Sequence, residues 1–209
     1  SYVYFRVGSL SSTYASTSNN NIFYCGVPSP TKLIYGDGAG GMGAPSNQIQ
    51  TLSAFKSFVG PTRESNSQTE LSPFINTSTG SSSSYLKITG TSPSYAESGA
   101  QTIGFTTDDF NTNTVRTGYP QGGQANGGGQ APDMGAYEYD GTKVVSAGVT
   151  AFVSPSGSCS LSANNVITIT VINSGSFFIA SGTNIPVSYT VNGGAPVNET
   201  LVLASNLNP

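Results

Sequence analysis

Only one segment of this chain, TLSAFKSFVGP (51–61), places apolar residues at helical spacing: Leu52, Phe55 and Val59 share a face, with Thr51 as an N-cap and Gly60-Pro61 as a stop. Everywhere else the apolar residues come in strand-length pieces cut by Ser, Thr, Asn and Gly. That pattern confines the 209 residues to an all-β class with one short helix near 51–59. The helix is expected to cover the edge or end of a sheet with its apolar face.

The first part of the chain predicts short strands at 2–7, 22–25, 33–35, 71–75 and 85–88, each followed by turn residues. Between them, SSTYASTSNNN (11–21) and TSTGSSSS (77–84) read as solvated loops. From Lys143 the pattern changes. VVSAGVTAFVSP (144–155), NVITITVIN (165–173), IPVSYTVNGG (185–194) and VNETLVLA (197–204) are longer, alternate cleanly and are rich in Val, Ile and Thr. Two domains follow from this shift, 1–141 and 142–209. Asn192-Gly193-Gly194 predicts a hairpin, because those residues tolerate the positive φ that tight turns need. About four strands are present there, whereas a complete immunoglobulin-like sandwich uses about seven in ~100 residues. The second domain is therefore expected to be an incomplete sandwich with an uncovered apolar face, closed by strands from the parent chain or from another molecule.

Composition narrows the chemistry. Charged residues make up 8% of the chain, against about 25% in ordinary soluble domains, so hydroxyls and amides must carry its solubility. The seven Lys and Arg are dispersed and the net charge is -3, which leaves no basic stripe for nucleic acid. With no His and only Cys25 and Cys159, the usual zinc, copper and iron ligand sets cannot be assembled. A long-range disulfide would suit an exported protein, but we read the two cysteines as free thiols. No charged-then-apolar leader and no long apolar run is present, and position 1 is not Met. The expectation is a mature or internal part of a longer chain, with no membrane span.

Carboxylates are the only conventional catalytic groups in any number, and the candidates are Asp108, Asp109, Asp133, Glu138 and Asp140. Adjacent Asp108 and Asp109 would point to opposite faces if extended, which spoils them as a pair. Loop carboxylates more commonly bond to local backbone amides, so no catalytic residue is assigned and no enzymatic activity is expected. Calcium is the metal these residues could hold, through Asp108, Asp109 and the side-chain carbonyls of Asn111 and Asn113. Arg116 would instead clamp that acidic turn as a surface ion pair. GDGAGGMG (36–43) lacks the strand-then-helix context of a phosphate loop. In an extended MGAYEY (134–139), Tyr137 and Tyr139 share one face; they are the candidate binding residues, with burial against the end of the first domain as the competing role.

The order SPFINTSTG (72–80), YLKITGTSPSYAESGAQ (85–101), FTTDDFNTNTVR (105–116) and PDMGAYEYDG (132–141) resembles the final coils of secreted right-handed parallel β-helix proteins of Bacteroidota. Those coils carry D-P-x-F, L-x-x-x-S-P-A-x-x-x-G, D-x-D-G-x-x-R and P-D-I-G-A-Y-E. Here the first appears as Ser72-Pro73-Phe74 and the third as Asp108-Asp109-Phe110-Asn111, and QGGQANGGGQ (121–130) lengthens the last loop. Residues 153–203 resemble the immunoglobulin-like modules that follow such helices in large surface proteins exported by the type IX pathway. The resemblance implies the end of a parallel β-helix followed by a partial immunoglobulin-like sandwich. It also implies an extracellular place on the bacterial surface, and a role in adhesion or in building a filament. Partners would be other modules of the parent chain, a neighbouring surface protein or a polysaccharide. The alternative it implies is the C-terminal portion of a polysaccharide lyase whose catalytic coils lie upstream.

Overall fold

The computed structural model describes residues 1–8, 14–60, 62–111, 118–155 and 165–209. It divides into two compact units, Ser1–Thr142 and Lys143–Pro209. Strand makes up 29% of the structure and helix 6%, as the lone helical periodicity requires.

In the first unit, β1 (Tyr2–Arg6) pairs in parallel with β2 (Leu33–Asp37), which pairs antiparallel with β3 (Asn47–Ile49). Every residue of the central strand β2 is buried. Gly36 makes this possible, because a Cβ there would meet the Tyr2 ring at 2.3 Å. The helix α1 (Leu52–Val59) lies where its spacing predicts and buries Leu52, Phe55 and Val59. The Thr51 side chain accepts a hydrogen bond from Ala54 N at 3.2 Å, and Gly60, at φ 100°, ends the helix with its N–H on Lys56 O. Phe55 stacks on Tyr35 at 5.1 Å and meets Phe23 edge-on at 5.6 Å. Phe23, Ile34, Tyr35 and the three helix residues form the core, with Tyr4, Tyr14 and Ile49 against it. A core short of aliphatics is thus built from aromatic rings, each of which removes a large apolar area from water.

Outside the β1–β3 sheet and α1 the first unit departs from the strands its sequence predicts. Besides the two-residue β4 (Pro93–Ser94), the segments at 22–25, 71–75 and 85–88 form only isolated bridges, Ile22 with Gln68, Phe74 with Ile88 and Asn76 with Tyr85. Leu86 sits at φ 55°, a left-handed conformation that interrupts any extended run. Pro73 has no N–H to give to a ladder. The MGAYEY segment is likewise not a strand: residues 134–136 bend and 137–139 run on without regular structure. Among the described residues no continuous parallel sheet runs through this unit.

β5 (Thr142–Lys143) spans the boundary between the units. The second unit is built from two antiparallel ribbons, β6 (Ala147–Ser154) with β7 (Thr168–Asn173), and β8 (Asn184–Tyr189) with β9 (Val197–Val202). The latter pair is the predicted hairpin. Asn192 and Gly193 take φ of 52° and 72°, and Gly194 N donates to Val191 O at 2.9 Å, the paired positive φ of a type I′ turn. The ribbon continues to a bridge between Ile179 and Leu207. Asn173 joins the two ribbons: its Nδ2 donates to Phe177 O at 2.6 Å and Leu207 O at 3.0 Å, and its Oδ1 accepts from Gly175 N. Buried Lys143 lies over the Phe177 ring at 3.1 Å. Val149, Phe152, Val197, Leu201 and Val202 are exposed.

Candidate functional site

The C-terminal half of the first unit is organised by carboxylates rather than by ladders. Glu97 is fully buried; its Oε1 accepts from Gly129 N at 2.8 Å and from Ser98 Oγ at 2.7 Å, and its Oε2 from Gly141 N at 3.0 Å. Gly128 passes so close that a Cβ there would lie 2.2 Å from Oε1. Asp133, 1% exposed, accepts from Ser98 N and Tyr139 N, both at 2.8 Å. Glu138 accepts from Asp133 N at 2.9 Å and from Tyr119 Oη at 2.7 Å. Asp140 accepts from Ala125 N and Asn126 N at 2.8 and 3.0 Å, fastening the Gly-rich loop. Glu70 takes Ser94 Oγ at 2.6 Å and Tyr95 N at 3.0 Å. This helps to explain why MGAYEY makes no strand: the amides of Glu138 and Tyr139 are taken by the Asp109 and Asp133 carboxylates and that of Met134 by the Ala96 carbonyl, so a neighbouring strand would offer them nothing further.

Burial, the nearby charge of Glu97 and, less strongly, that of Glu138 push the Asp133 carboxyl up to about 8, against the opposing pull of its two backbone amides. Asp133 therefore keeps its proton well above the usual carboxylate range. It makes no reachable acid for a substrate, because both its oxygens are engaged with backbone and it is closed to solvent. Burial and neighbouring carboxylates also raise the Tyr139 hydroxyl.

Of the calcium candidates, Asp108, Asp109 and Asn111 lie among the described residues. Asp108 is exposed while Asp109 turns inward, accepting from Asn111 N at 2.9 Å and Glu138 N at 3.3 Å. Asn113 and Arg116 lie outside the described residues, as does Cys159; Cys25 is a free thiol. Among the described residues no group of three or more His, Cys, Asp or Glu side chains is placed to hold a metal ion, and no helix is long and apolar enough to cross a membrane.

Tyr137 and Tyr139 do come together, in the wall of a cleft of about 670 Å³. Tyr137 meets Phe110 edge-on at 5.5 Å and carries Lys87 Nζ 5.1 Å above its ring. Tyr24, Phe74 and Tyr85 line the same cleft, as does Glu70. A second cleft of about 480 Å³ shares Asn20, Asn21, Met134 and Gly135 with the first and adds Thr17, Asn19, Gln101 and Thr106. Sequence reasoning missed Tyr24, Tyr85, Phe110 and the Asn19–Asn21 run as one surface. They are separated by up to about ninety positions and only the folded chain collects them. Glu70 and Glu97 were equally silent, since nothing next to a buried carboxylate in sequence marks it. The chain matches none of the protein-family models, the curated proteins or the solved structures with which it was compared.

Proposed function

We propose that this chain is a non-enzymatic part of an exported bacterial surface protein, acting in adhesion or as a filament-building element. In this reading the first unit is the end of a right-handed parallel β-helix and the second an immunoglobulin-like module. The observation that carries it is how the two kinds of side chain are used. Asp37, Glu64, Glu70, Glu97, Asp109, Asp133, Glu138 and Asp140 accept hydrogen bonds from the protein's own amides and hydroxyls, whereas outside the aromatic core large apolar side chains such as Phe105, Phe110, Phe152 and Val166 are exposed. Structure holds the carboxylates; contact is left to the apolar groups. Exposed apolar patches of this kind mark interaction surfaces.

Further support comes from the second unit, whose exposed Val149, Phe152, Val197 and Leu201 are positions that added strands would cover, supplied by the parent chain or by a neighbouring molecule. The test is to label the parent protein on intact cells and to image purified material for filaments, alongside an attachment assay with beads coated with this chain. Surface display with attachment or filament growth is the expected result. A compact monomer that neither attaches nor assembles, and that cleaves a uronic-acid polymer, would overturn it.

A further inference from the structure

We infer that the two adjoining clefts of the first unit form one groove that binds a neutral glycan chain. The inference rests on the adhesive reading above and gives it a ligand. The clefts meet at Asn20, Asn21, Met134 and Gly135. One stretch is lined by aromatic rings: Phe110 is 72% exposed, Tyr24 42% and Phe74 40%, with Tyr85 and Tyr137 beside them. The other sets the hydroxyls and amides of Thr17, Asn19, Gln101 and Thr106 beside Ala100, Ile103 and Pro132, with Thr17 and Gln101 exposed. A pyranose has the matching double character, since its C–H face lies against an aromatic ring while its equatorial hydroxyls reach amides and hydroxyls at the side.

Charge selects among polymers. Among the described residues neither stretch is lined by Lys or Arg, and the Glu70 carboxylate stands in the wall of the first. The nearby cation, Lys87, is placed over the Tyr137 ring. A uronate or sulfated chain would meet the Glu70 carboxylate, with no Lys or Arg among the described lining residues to match its charge. A peptide bound by strand addition needs a free strand edge, and among the described residues Val3 alone of the lining lies within a strand.

The test uses the full chain, titrated calorimetrically with cellohexaose, mannohexaose, xylohexaose and a hexagalacturonate, and with a Leu- and Tyr-rich peptide of similar length. At least one neutral hexaose should bind, and the hexagalacturonate and peptide should not. Phe110→Ala and Tyr24→Ala should each weaken that binding about tenfold with unchanged thermal unfolding, while Phe110→Tyr, which keeps a ring, should retain it. No binding of any neutral hexaose, preference for the hexagalacturonate or the peptide, or indifference to both alanine variants would overturn the assignment. Bead attachment separates the two ideas. Glycan binding by beads that adhere to no cell refutes the adhesive reading alone, and adhesion that survives both alanine variants refutes the groove alone.

Discussion

Asp133 gives the sharpest prediction, because its burial dictates a sign. Its carboxyl is held at about 8 in the folded chain, against about 3.9 for an aspartate in an unfolded one. Between those values the folded state keeps a proton that the unfolded state has released. Stability then falls as pH rises, by about 1.4 kcal/mol per pH unit for one proton. The contribution is complete below about pH 4 and is lost as pH rises through about 8. Glu64 has the opposite sign. Although burial raises it, hydrogen bonds from Asn21, Ser18, Ser67 and Tyr14 outweigh that and hold it below the usual glutamate value, so its contribution is present in neutral solution and lost on acidification.

Asp133→Asn isolates the first effect. The amide removes the repulsion from Glu97 but can accept at only one atom, so either Ser98 N or Tyr139 N loses its partner, a cost of about 1–3 kcal/mol. The variant should be less stable than the parent at about pH 4 and more stable at about pH 9, with the curves crossing near pH 5–6. Calorimetric unfolding from pH 4 to 9, with exchange of the Ser98 and Tyr139 amides as a local readout, measures this. Parallel pH curves for the two proteins, or a carbon-13 titration placing the Asp133 carboxyl near 4, would refute the reasoning.

The remaining predictions concern packing and backbone. Phe55→Ala removes a fully buried ring stacked on Tyr35 and should cost about 3–5 kcal/mol, read by urea unfolding of the first unit. Thr51→Ala deletes the cap on Ala54 N and should cost about 1 kcal/mol in the same assay. Gly90→Ala would set a Cβ 2.2 Å from the Asp140 carbonyl oxygen; it should destabilise the first unit and raise amide exchange at Ala125 and Asn126, which Asp140 holds.

The helix at 52–59 was legible because capping, spacing and stop signals all lie within eleven residues. The turn at Asn192-Gly193 was legible for a similar reason, since positive φ is a demand that one or two residue types meet locally. The segments at 71–75 and 85–88 misled. Their composition favours strands, yet Leu86 at φ 55° and Pro73 turn them into isolated bridges. MGAYEY misled for a different reason: Asp133 and Asp109 satisfy its Tyr139 and Glu138 amides in place of a neighbouring strand. Of the site candidates, Tyr137 and Tyr139 reach one cleft, but Asp108 and Asp109 face apart.

By itself the sequence determined what depends on neighbours along the chain: an all-β composition with one helix, one tight hairpin turn, and a residue set too poor in His and Cys for transition-metal chemistry. Tertiary structure alone decided what depends on distant residues. It pairs Tyr2–Arg6 with Leu33–Asp37, buries Glu97 among the amides of Gly129 and Gly141, raises the Asp133 carboxyl, and gathers Tyr24, Tyr85 and Phe110 into one groove. The division has a physical cause. Backbone preference and side-chain spacing act over a few bonds, whereas desolvation and ring packing are set by which remote segments come to lie against one another.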